Sequence, residues 1–424
     1  MTGGTSLPLL RAGRWYRSLD TVPVPGGPPL CLAPEIMVRD DGARMRARRA
    51  ATAVPSRARR LELLREAVAL FRHGRVPVES LGVQDARGFE EAMRATAGLP
   101  PALVRRWSAM LGERLEELAE ERAGAPDTGG LTLVSLPANT FTCLEGVLEA
   151  ALSGAAVWIR PSRREPLSSA RLVGALLGAG WPSGTLGYYP SAPRALPALI
   201  RATDRQIVYG GDGLAAGPAA DAPSLDLRGP GRACVIVDGR EPVDAEDIAA
   251  RIARDAGRFC TCACTVVFLR DAGPSRDTEP SQGVGPSREA GTSREAGARW
   301  EADARRIAAV LDGISLDPPD PRWPQASWAG ADAARMAAFV SSRVSPGGRV
   351  LTRRPILAGA GGRAFLAPTL VQVDDAGHPL VGCELPFPLA VVVSTDEAGA
   401  RAVAAGSRFV HPARFAAVPE GAPS

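Results

Sequence analysis

The chain has 424 residues, 45% of them hydrophobic, enough to bury a large core and to form about two domains. Its formal net charge is +4, and all of its positive charge is arginine because the sequence has no lysine; this surplus is too small to argue for a nucleic-acid partner. No apolar run reaches the ~18–20 residues needed to span a bilayer, and the N-terminus lacks an apolar signal core, so no membrane and no export are expected. Seven cysteines, an odd number, without an export signal point to free thiols and a cytoplasmic protein.

In chain order, residues 1–40 read as an N-terminal extended arm of short pieces joined by Pro/Gly turns such as VPVPGGPP. Residues 41–123 read as helical. SRARRLELLREAVALFRHG has a serine cap, apolar residues at helical spacing and a glycine stop, and PPALVRRWSAMLGERLEELAEER repeats the pattern with proline near its start. The rhythm then changes. LTLVSLP, AAVWIRP, GTLGYYP and RQIVYGG read as strands, separated by helices at TCLEGVLEAALSG, LSSARLVGALLGAG and ALPALIRAT. Strands alternating with helices of about ten residues predict βαβ units and a parallel sheet. ACVIVD, AEDIAARIARDAG and TVVFL continue the alternation as strand, helix and strand.

Residues 272–297 differ in kind. The unit GPSRD/GPSRE/GTSRE recurs and apolar content nearly vanishes, so the segment is expected to be a disordered insertion. Helix returns at WEADARRIAAVLDG, and AFLAPTLVQV and ELPFPLAVVV are again strand-like.

The stretch FCTCACTVVFL carries cysteines at 260, 262 and 264. A zinc site wants about four ligands in C-x₂₋₄-C pairs or with histidines, and the chain's three histidines, His73, His378 and His411, lie far off in sequence, so no metal is expected. Alternate residues share one face of a strand, so by spacing alone the three thiols read as core. Cys260, at the junction of a helix and a strand, is also placed to be partly exposed and near backbone dipoles, conditions that favour a thiolate.

Beyond spacing, Ala256-Gly257-Arg258-Phe259-Cys260-Thr261 resembles the nucleophile segment Ala-Gly-Gln-x-Cys-Thr of the aldehyde dehydrogenase superfamily. Further segments follow in that family's order. LPANTFT resembles its Pro-Trp-Asn segment, and AAVWIRPSRREPLSSARL its strand ending in Lys-Pro-Ser-Glu. IVYGGDGLAAG is similar to its Gly-Ser-Thr phosphate turn, LDLRGPGRACVIV to Leu-Glu-Leu-Gly-Gly-Lys-Ser, GGRAFLAPTLVQV to Tyr-Phe-x-x-Pro-Thr, and CELPFP to Glu-Glu-Ile-Phe-Gly-Pro. Seven segments in order, from about Leu131 to Val393, carry the resemblance. Within the superfamily, the Tyr-Gly-Gly-Asp turn, AMRATAGLPPALVRRW and the ending GSRFVHPARFAAVP look most like the fatty acyl-CoA reductases of bacterial bioluminescence.

The resemblance implies an α/β fold, with a Rossmann-like cofactor-binding domain and an α/β catalytic domain. The domains expected are 41–226, the helical segment and dinucleotide-binding domain, and 227–395, the catalytic domain containing the insertion, followed by a short C-terminal tail at 396–424. It implies Cys260 as nucleophile, Asn139 as oxyanion amide and Asp226 at the general-base position. Arg160, Ser162, Gly210, Gly211 and Glu384 fall at cofactor-binding positions. Arginine forks onto phosphate better than the family's lysine, so NADP(H) is favoured over NAD(H). Asp226 is one methylene shorter than the family's glutamate, which favours a reaction that does not need water activation. The expected activity is NAD(P)H-dependent reduction of an acyl thioester, CoA- or carrier-bound, to an aldehyde. The alternatives are an NAD(P)-dependent aldehyde dehydrogenase and a catalytically degenerate cofactor-binding homologue, the latter because Arg258, Ala138 and RGP replace the family's Gln, Trp and GGK. The expected partners are a small acyl thioester or aldehyde, an acyl-donating protein where the donor is a carrier, and further copies of the chain in a homo-oligomer.

Overall fold

The structure, a computed structural model, describes residues 6–47, 54–211, 213, 224–238, 243–270, 289–345 and 347–412. The chain divides into two compact units, Met1–Gly229 and Pro230–Ser424.

In the first unit the strands are β1 (Leu9–Arg11), β2 (Arg14–Tyr16), β3 (Thr21–Val22), β4 (Leu30–Cys31), β5 (Val76–Val78), β6 (Gly82–Gln84), β7 (Leu131–Ser135), β8 (Ala156–Arg160), β9 (Leu186–Tyr188), β10 (Arg205–Tyr209) and β11 (Leu225–Arg228). Its main sheet has the order β11-β10-β7-β8-β9-β1-β2. Strands β7 to β11 run parallel, while β1 lies antiparallel to β9 and β2 to β1. The chain builds outwards from β7 through β8 and β9, then returns to the other side of β7 with β10 and β11. That reversal is the doubly wound Rossmann pattern, in which ligands bind outside the carboxyl ends of the strands where the order reverses, here β7 and β10. Every residue of β7 is buried, as are the first four of β8. Continuous apolar runs of this kind belong to parallel strands covered on both faces.

The helices follow their local chemistry. Arg57–His73 starts at Ser56, whose hydroxyl accepts from the Arg59 N–H, and stops at Gly74, whose N–H returns to the Leu70 carbonyl. This helix packs on helices Pro101–Glu121 and Leu167–Gly178. From the last of these, Arg171 enters the core fully buried and donates to the carbonyls of Phe71 (2.9 Å), Gln84 (2.7 Å) and Gly74 (3.0 Å). Its guanidinium lies over the rings of Phe71 and Phe89. It thus closes the C-terminal carbonyls of helix Arg57–His73, where a cation is favoured by the helix dipole. Within the span expected to be helical, Val76-Pro77-Val78 and Gly82 instead form the hairpin β5–β6. Proline and β-branched residues disfavour a helix there.

The N-terminal arm is built into this unit. β1 extends the main sheet, and Arg11 donates to both oxygens of buried Asp41 at 2.9 and 2.7 Å. Tyr189 donates its hydroxyl to the same carboxylate at 3.0 Å.

The second unit contains β12 (Cys234–Asp238), β13 (Thr265–Leu269), β14 (Ser327–Trp328), β15 (Gly348–Val350), β16 (Leu357–Ala360), β17 (Arg363–Leu366), β18 (Thr369–Val373), β19 (Leu389–Thr395) and β20 (Val410–Pro412). Its main sheet has the order β15-β18-β19-β13-β12-β20, parallel except for β15. Alternation decides the two cores. Val266 and Phe268 of β13 join Ala390 and Val392 of β19 on the face covered by helices Ala245–Ala253 and Glu289–Asp312. Val267 joins Val391 and Val393 on the opposite face with helices Gly330–Val344 and Glu397–Ala405.

Three features depart from the sequence expectations. Residues 272–288 of the expected insertion lie outside the described residues, but the helix Glu289–Asp312 begins inside the segment expected to be disordered. Its first turns carry Glu, Ala and Arg, which are good helix formers. The C-terminal tail supplies helix Glu397–Ala405 and the edge strand β20. Helix Gly330–Val344 and strands β14 and β16 were not legible in the pattern.

Replacing Arg171 by Met removes the donors to several buried carbonyls at once. Urea unfolding should report a loss of about 3 kcal/mol in the first unit's transition. A loss below about 1 kcal/mol would mean that water satisfies those carbonyls instead.

Candidate active site

In the second unit, Cys260 sits on the loop between helix Ala245–Ala253 and β13. Asp255, Ala256 and Gly257 are three consecutive residues with left-handed backbone, φ 53°, 55° and 65°. The described residues include five non-glycine positions with positive φ, and three of them, Arg232, Asp255 and Ala256, flank this loop. Backbone strain concentrated in this way marks a place where the surrounding structure over-determines the chain. At Gly257 a Cβ would overlap the Phe387–Pro388 peptide, so this position has no room for a side chain. Arg258, the next residue, is buried and stacks its guanidinium over Trp328 at 4.4 Å.

The other side of the loop is equally close. A Cβ on Gly231 would overlap the Cys260 carbonyl oxygen and lie 2.5 Å from the Cys260 Cβ. The Gly231–Arg232 turn is itself held by Glu384, whose Oε2 accepts from the N–H of Gly231 at 2.7 Å and of Arg232 at 3.1 Å. Cys260 and Glu384, assigned to different roles by the resemblance, are therefore joined through one turn. Backbone bonds from Cys262 N to Phe259 O and from Cys264 N to Ala233 O, both 2.9 Å, complete the frame. The Thr261 carbonyl lies 3.0 Å from His411 Nε2 of β20.

The three clustered thiols are not equivalent. Cys260 is exposed, whereas Cys262 and Cys264 are buried. Burial pushes the thiols of Cys262 and Cys264 up to about 12, and Cys262 also points its sulfur at the Arg254 carbonyl, 3.3 Å away. Near neutral pH thiols of that kind stay protonated. Among the described residues no cluster of three or more His, Cys, Asp or Glu side chains could hold a metal ion.

In the first unit, the candidate cofactor residues gather at the carboxyl edge of the parallel sheet. Arg160 ends β8 beside Ser135, the last residue of β7. Its Nε donates to Ser191 Oγ at 2.9 Å and its Nη1 to Ser135 Oγ at 3.1 Å. Burial lowers its pKa to about 10, still far above neutrality, so it remains a cation. No carboxylate among the described residues pairs with it. A partly buried guanidinium held by hydroxyls, at the edge where such sheets bind ligands, fits the anionic groups of a dinucleotide. Ser162, two residues on, turns the chain by accepting from the Arg164 N–H at 3.1 Å. Gly210 and Gly211 follow β10 at the same edge, and among the described residues no atom lies within 4 Å of a Cβ placed on Gly211. The helix expected after them falls on residues 212 and 214–223, outside the described residues.

Asn139 lies half-buried on the loop after β7. The loop is anchored two residues later, where Phe141 packs edge-on against Phe71, Phe89 and Trp107 with centroids 5.4–6.0 Å apart. Asp226 lies within β11, paired with Ile207 of β10. Arg228 Nε donates to its Oδ2 at 2.8 Å, and Arg228 is pinned in turn by Glu149 at 2.6 Å and by the Tyr209 hydroxyl at 3.2 Å. Ser135, Ser191, Arg228 and Gly231 were not singled out from sequence. A serine or glycine carries no signal of its own until the fold shows what it touches.

The fold is that of the aldehyde dehydrogenases. A putative aldehyde dehydrogenase from Burkholderia cenocepacia superposes with a TM-score of 0.73 at 19% identity, covering 96% of this chain and 87% of the other. An NAD-dependent benzaldehyde dehydrogenase from Corynebacterium glutamicum gives 0.72 at 16% identity, covering 97% and 90%. A 3,6-anhydro-L-galactose dehydrogenase in complex with NAP gives 0.74 at 15% identity, covering 98% and 93%. No protein-family model and no curated protein sequence matches the chain.

Limiting iodoacetamide at pH 7.5 should label Cys260 first, as read by peptide mass spectrometry. Cys262 and Cys264 should react only after unfolding. Labelling of Cys262 or Cys264 at the rate of Cys260 would contradict their burial.

Proposed function

We propose that this chain is a nicotinamide-dependent reductase that converts an acyl thioester into an aldehyde through a thioester on Cys260. The observation that carries the proposal is the exposed Cys260 on a strained, closely packed loop, beside two thiols that burial keeps protonated. In the forward direction the Cys260 thiolate attacks the acyl carbon and the donor thiolate leaves. The Cys260 N–H and the Asn139 amide are the proposed donors to the oxyanion, a role in which one lost donor typically costs on the order of 10²–10³ in rate. A reduced nicotinamide nucleotide held by Arg160, Ser162, Gly210 and Gly211 would supply a hydride at that carbon. Cys260 then serves as leaving group, and the aldehyde is released as the thiolate returns.

Arg160, with Ser162, Gly210 and Gly211, is the proposed seat of the dinucleotide phosphates and ribose. Arginine's fork favours NADP(H) over NAD(H). Glu384 is proposed to face the nicotinamide ribose with the oxygen not engaged by the Gly231–Arg232 turn.

Asp226 supports the reductive direction. Its side chain is one methylene shorter than a glutamate, and the bond from Arg228 Nε to its Oδ2 at 2.8 Å holds it beside Arg228, which shortens its reach towards a water. Hydrolysis of the thioester is disfavoured accordingly, which leaves it for reduction. The fatty acyl-CoA reductases of the resemblance are the proposed functional kin. The donor is acyl-CoA or an acyl group presented by a carrier protein, and self-association into a homo-oligomer in the cytoplasm belongs to the same proposal. No described helix is long and apolar enough to cross a membrane. A second reading, oxidation of an aldehyde, is favoured by the names of the structural neighbours, which are dehydrogenases.

An acyl-CoA with NADPH should give loss of the reduced-nicotinamide absorbance, with aldehyde formed in equal amount. Cys260→Ser should abolish that signal, and Arg160→Met should raise KM for NADPH roughly tenfold or more. Gain of absorbance from aldehyde and NADP⁺ or NAD⁺, with none lost from acyl-CoA, would establish the oxidative reading. Tight nucleotide binding with neither signal would establish the degenerate homologue.

A further inference from the structure

We infer that Glu384 is a positioning residue for the Cys260 nucleophile, acting through the Gly231–Arg232 turn, whether or not a nucleotide is bound. The inference rests on the reading of Cys260 as the acylated thiol. One carboxylate oxygen, Oε2, receives both N–H groups of the turn, at 2.7 and 3.1 Å. Successive N–H groups converging on one anion form a concave anion-binding turn, and Arg232 adopts the left-handed backbone, φ 48°, that turns of this type use. An anion built into the protein occupies it.

The turn is in direct contact with the nucleophile. Gly231 has no room for a Cβ because the carbonyl oxygen and Cβ of Cys260 already fill that space. A shift of the turn away from Glu384 therefore removes the wall behind Cys260. The same stretch of chain grips the loop a second time, where Phe387 and Pro388 fill the space beside Gly257. Residues 384–388 thus hold the loop on both sides of Cys260, Glu384 by charge-assisted hydrogen bonds and Phe387–Pro388 by close packing. Further bonds tie the neighbouring backbone down: Gly382 donates its N–H to Thr265 Oγ1 at 3.0 Å, and Arg408 donates its N–H to the Gly231 carbonyl at 2.8 Å.

The test uses the full chain without nucleotide, so a role for Glu384 as a ribose ligand cannot contribute. p-Nitrophenyl acetate acylates a positioned thiolate, which attacks the ester carbonyl and expels p-nitrophenolate, leaving an acetyl group on sulfur. Iodoacetamide demands only a thiolate. Glu384→Ala should slow the p-nitrophenolate burst tenfold or more, while the rate of alkylation changes less than twofold. Glu384→Gln keeps an oxygen that can accept both N–H groups and should retain the burst rate within about threefold. In parallel, amide exchange should quicken in Glu384→Ala at Gly231 and Arg232, and also at Cys262 and Cys264. A wild-type burst rate in Glu384→Ala, or faster exchange confined to Gly231 and Arg232, overturns the inference. A wild-type protein that gives no acetyl adduct on Cys260 overturns the reading of the site, and the exchange pattern then still decides whether Glu384 positions the loop.

Discussion

The second unit is organised around a backbone-to-backbone contact: Cys260 rests against Gly231 with no space for a side chain between them. Gly257 meets the Phe387–Pro388 peptide just as closely. Contacts of this kind leave no slack, and the loop takes up left-handed backbone at Asp255 and Ala256 to satisfy them. Each such residue costs about 1–2 kcal/mol relative to ordinary helical or extended backbone. The apolar cores on both faces of the second sheet offset that cost, since Val266, Val267, Val391 and Val392 are fully buried. The result is a loop whose most reactive atom is exposed while its backbone is fixed. Cys262 and Cys264, two and four residues on, are buried in the packing.

The first unit does a different kind of work. Its parallel sheet reverses strand order between β7 and β10, and the carboxyl edge there collects Arg160, Ser135, Ser162 and Gly210. Burying a guanidinium without a carboxylate is costly, and two serine hydroxyls only partly replace water. The proposed role of Arg160 supplies the missing partner, since a dinucleotide phosphate is an anion. Asp226 shows the opposite economy. Arg228, standing where the resembling family has glycine, completes a network with Glu149, Tyr209 and Asp226. Burial opposes the charge of Arg228, but Tyr209, Asp226 and Glu149 outweigh it and hold the guanidinium above its ordinary value. Asp226, proposed at a general-base position by resemblance, is in this structure part of that ion-pair network.

Much of this was legible in the sequence where the period of the apolar residues and the punctuation agreed. Ser56 and Gly74 bracket their helix, and LTLVS and AVWIR form the buried strands their composition indicates. The proposal of Cys260 as a nucleophile came only from the resemblance, because three cysteines at alternate positions read as a core stripe by spacing. That spacing argument holds for Cys262 and Cys264 and fails for Cys260, which lies on a turn before β13 begins. What could not be read were contacts that depend on distant partners. Nothing in CELPFP announces that Glu384 binds a turn about 150 residues earlier, and nothing in LDLRGPG announces that Arg228 will hold Asp226 and Glu149 together. Edge strands were missed for a related reason: β15 and β20 are three residues long and owe their conformation to the sheet they join.

The central claim is that the Cys260 sulfur carries an acyl group that reduced nicotinamide then removes as aldehyde. Intact-protein and peptide mass spectrometry after mixing with an acyl-CoA, first without and then with NADPH, tests it directly. The account predicts one acyl adduct on Cys260 in the first sample and its disappearance, with aldehyde released, in the second. An adduct on Cys262 or Cys264, or an adduct on Cys260 that NADPH leaves untouched, would contradict it.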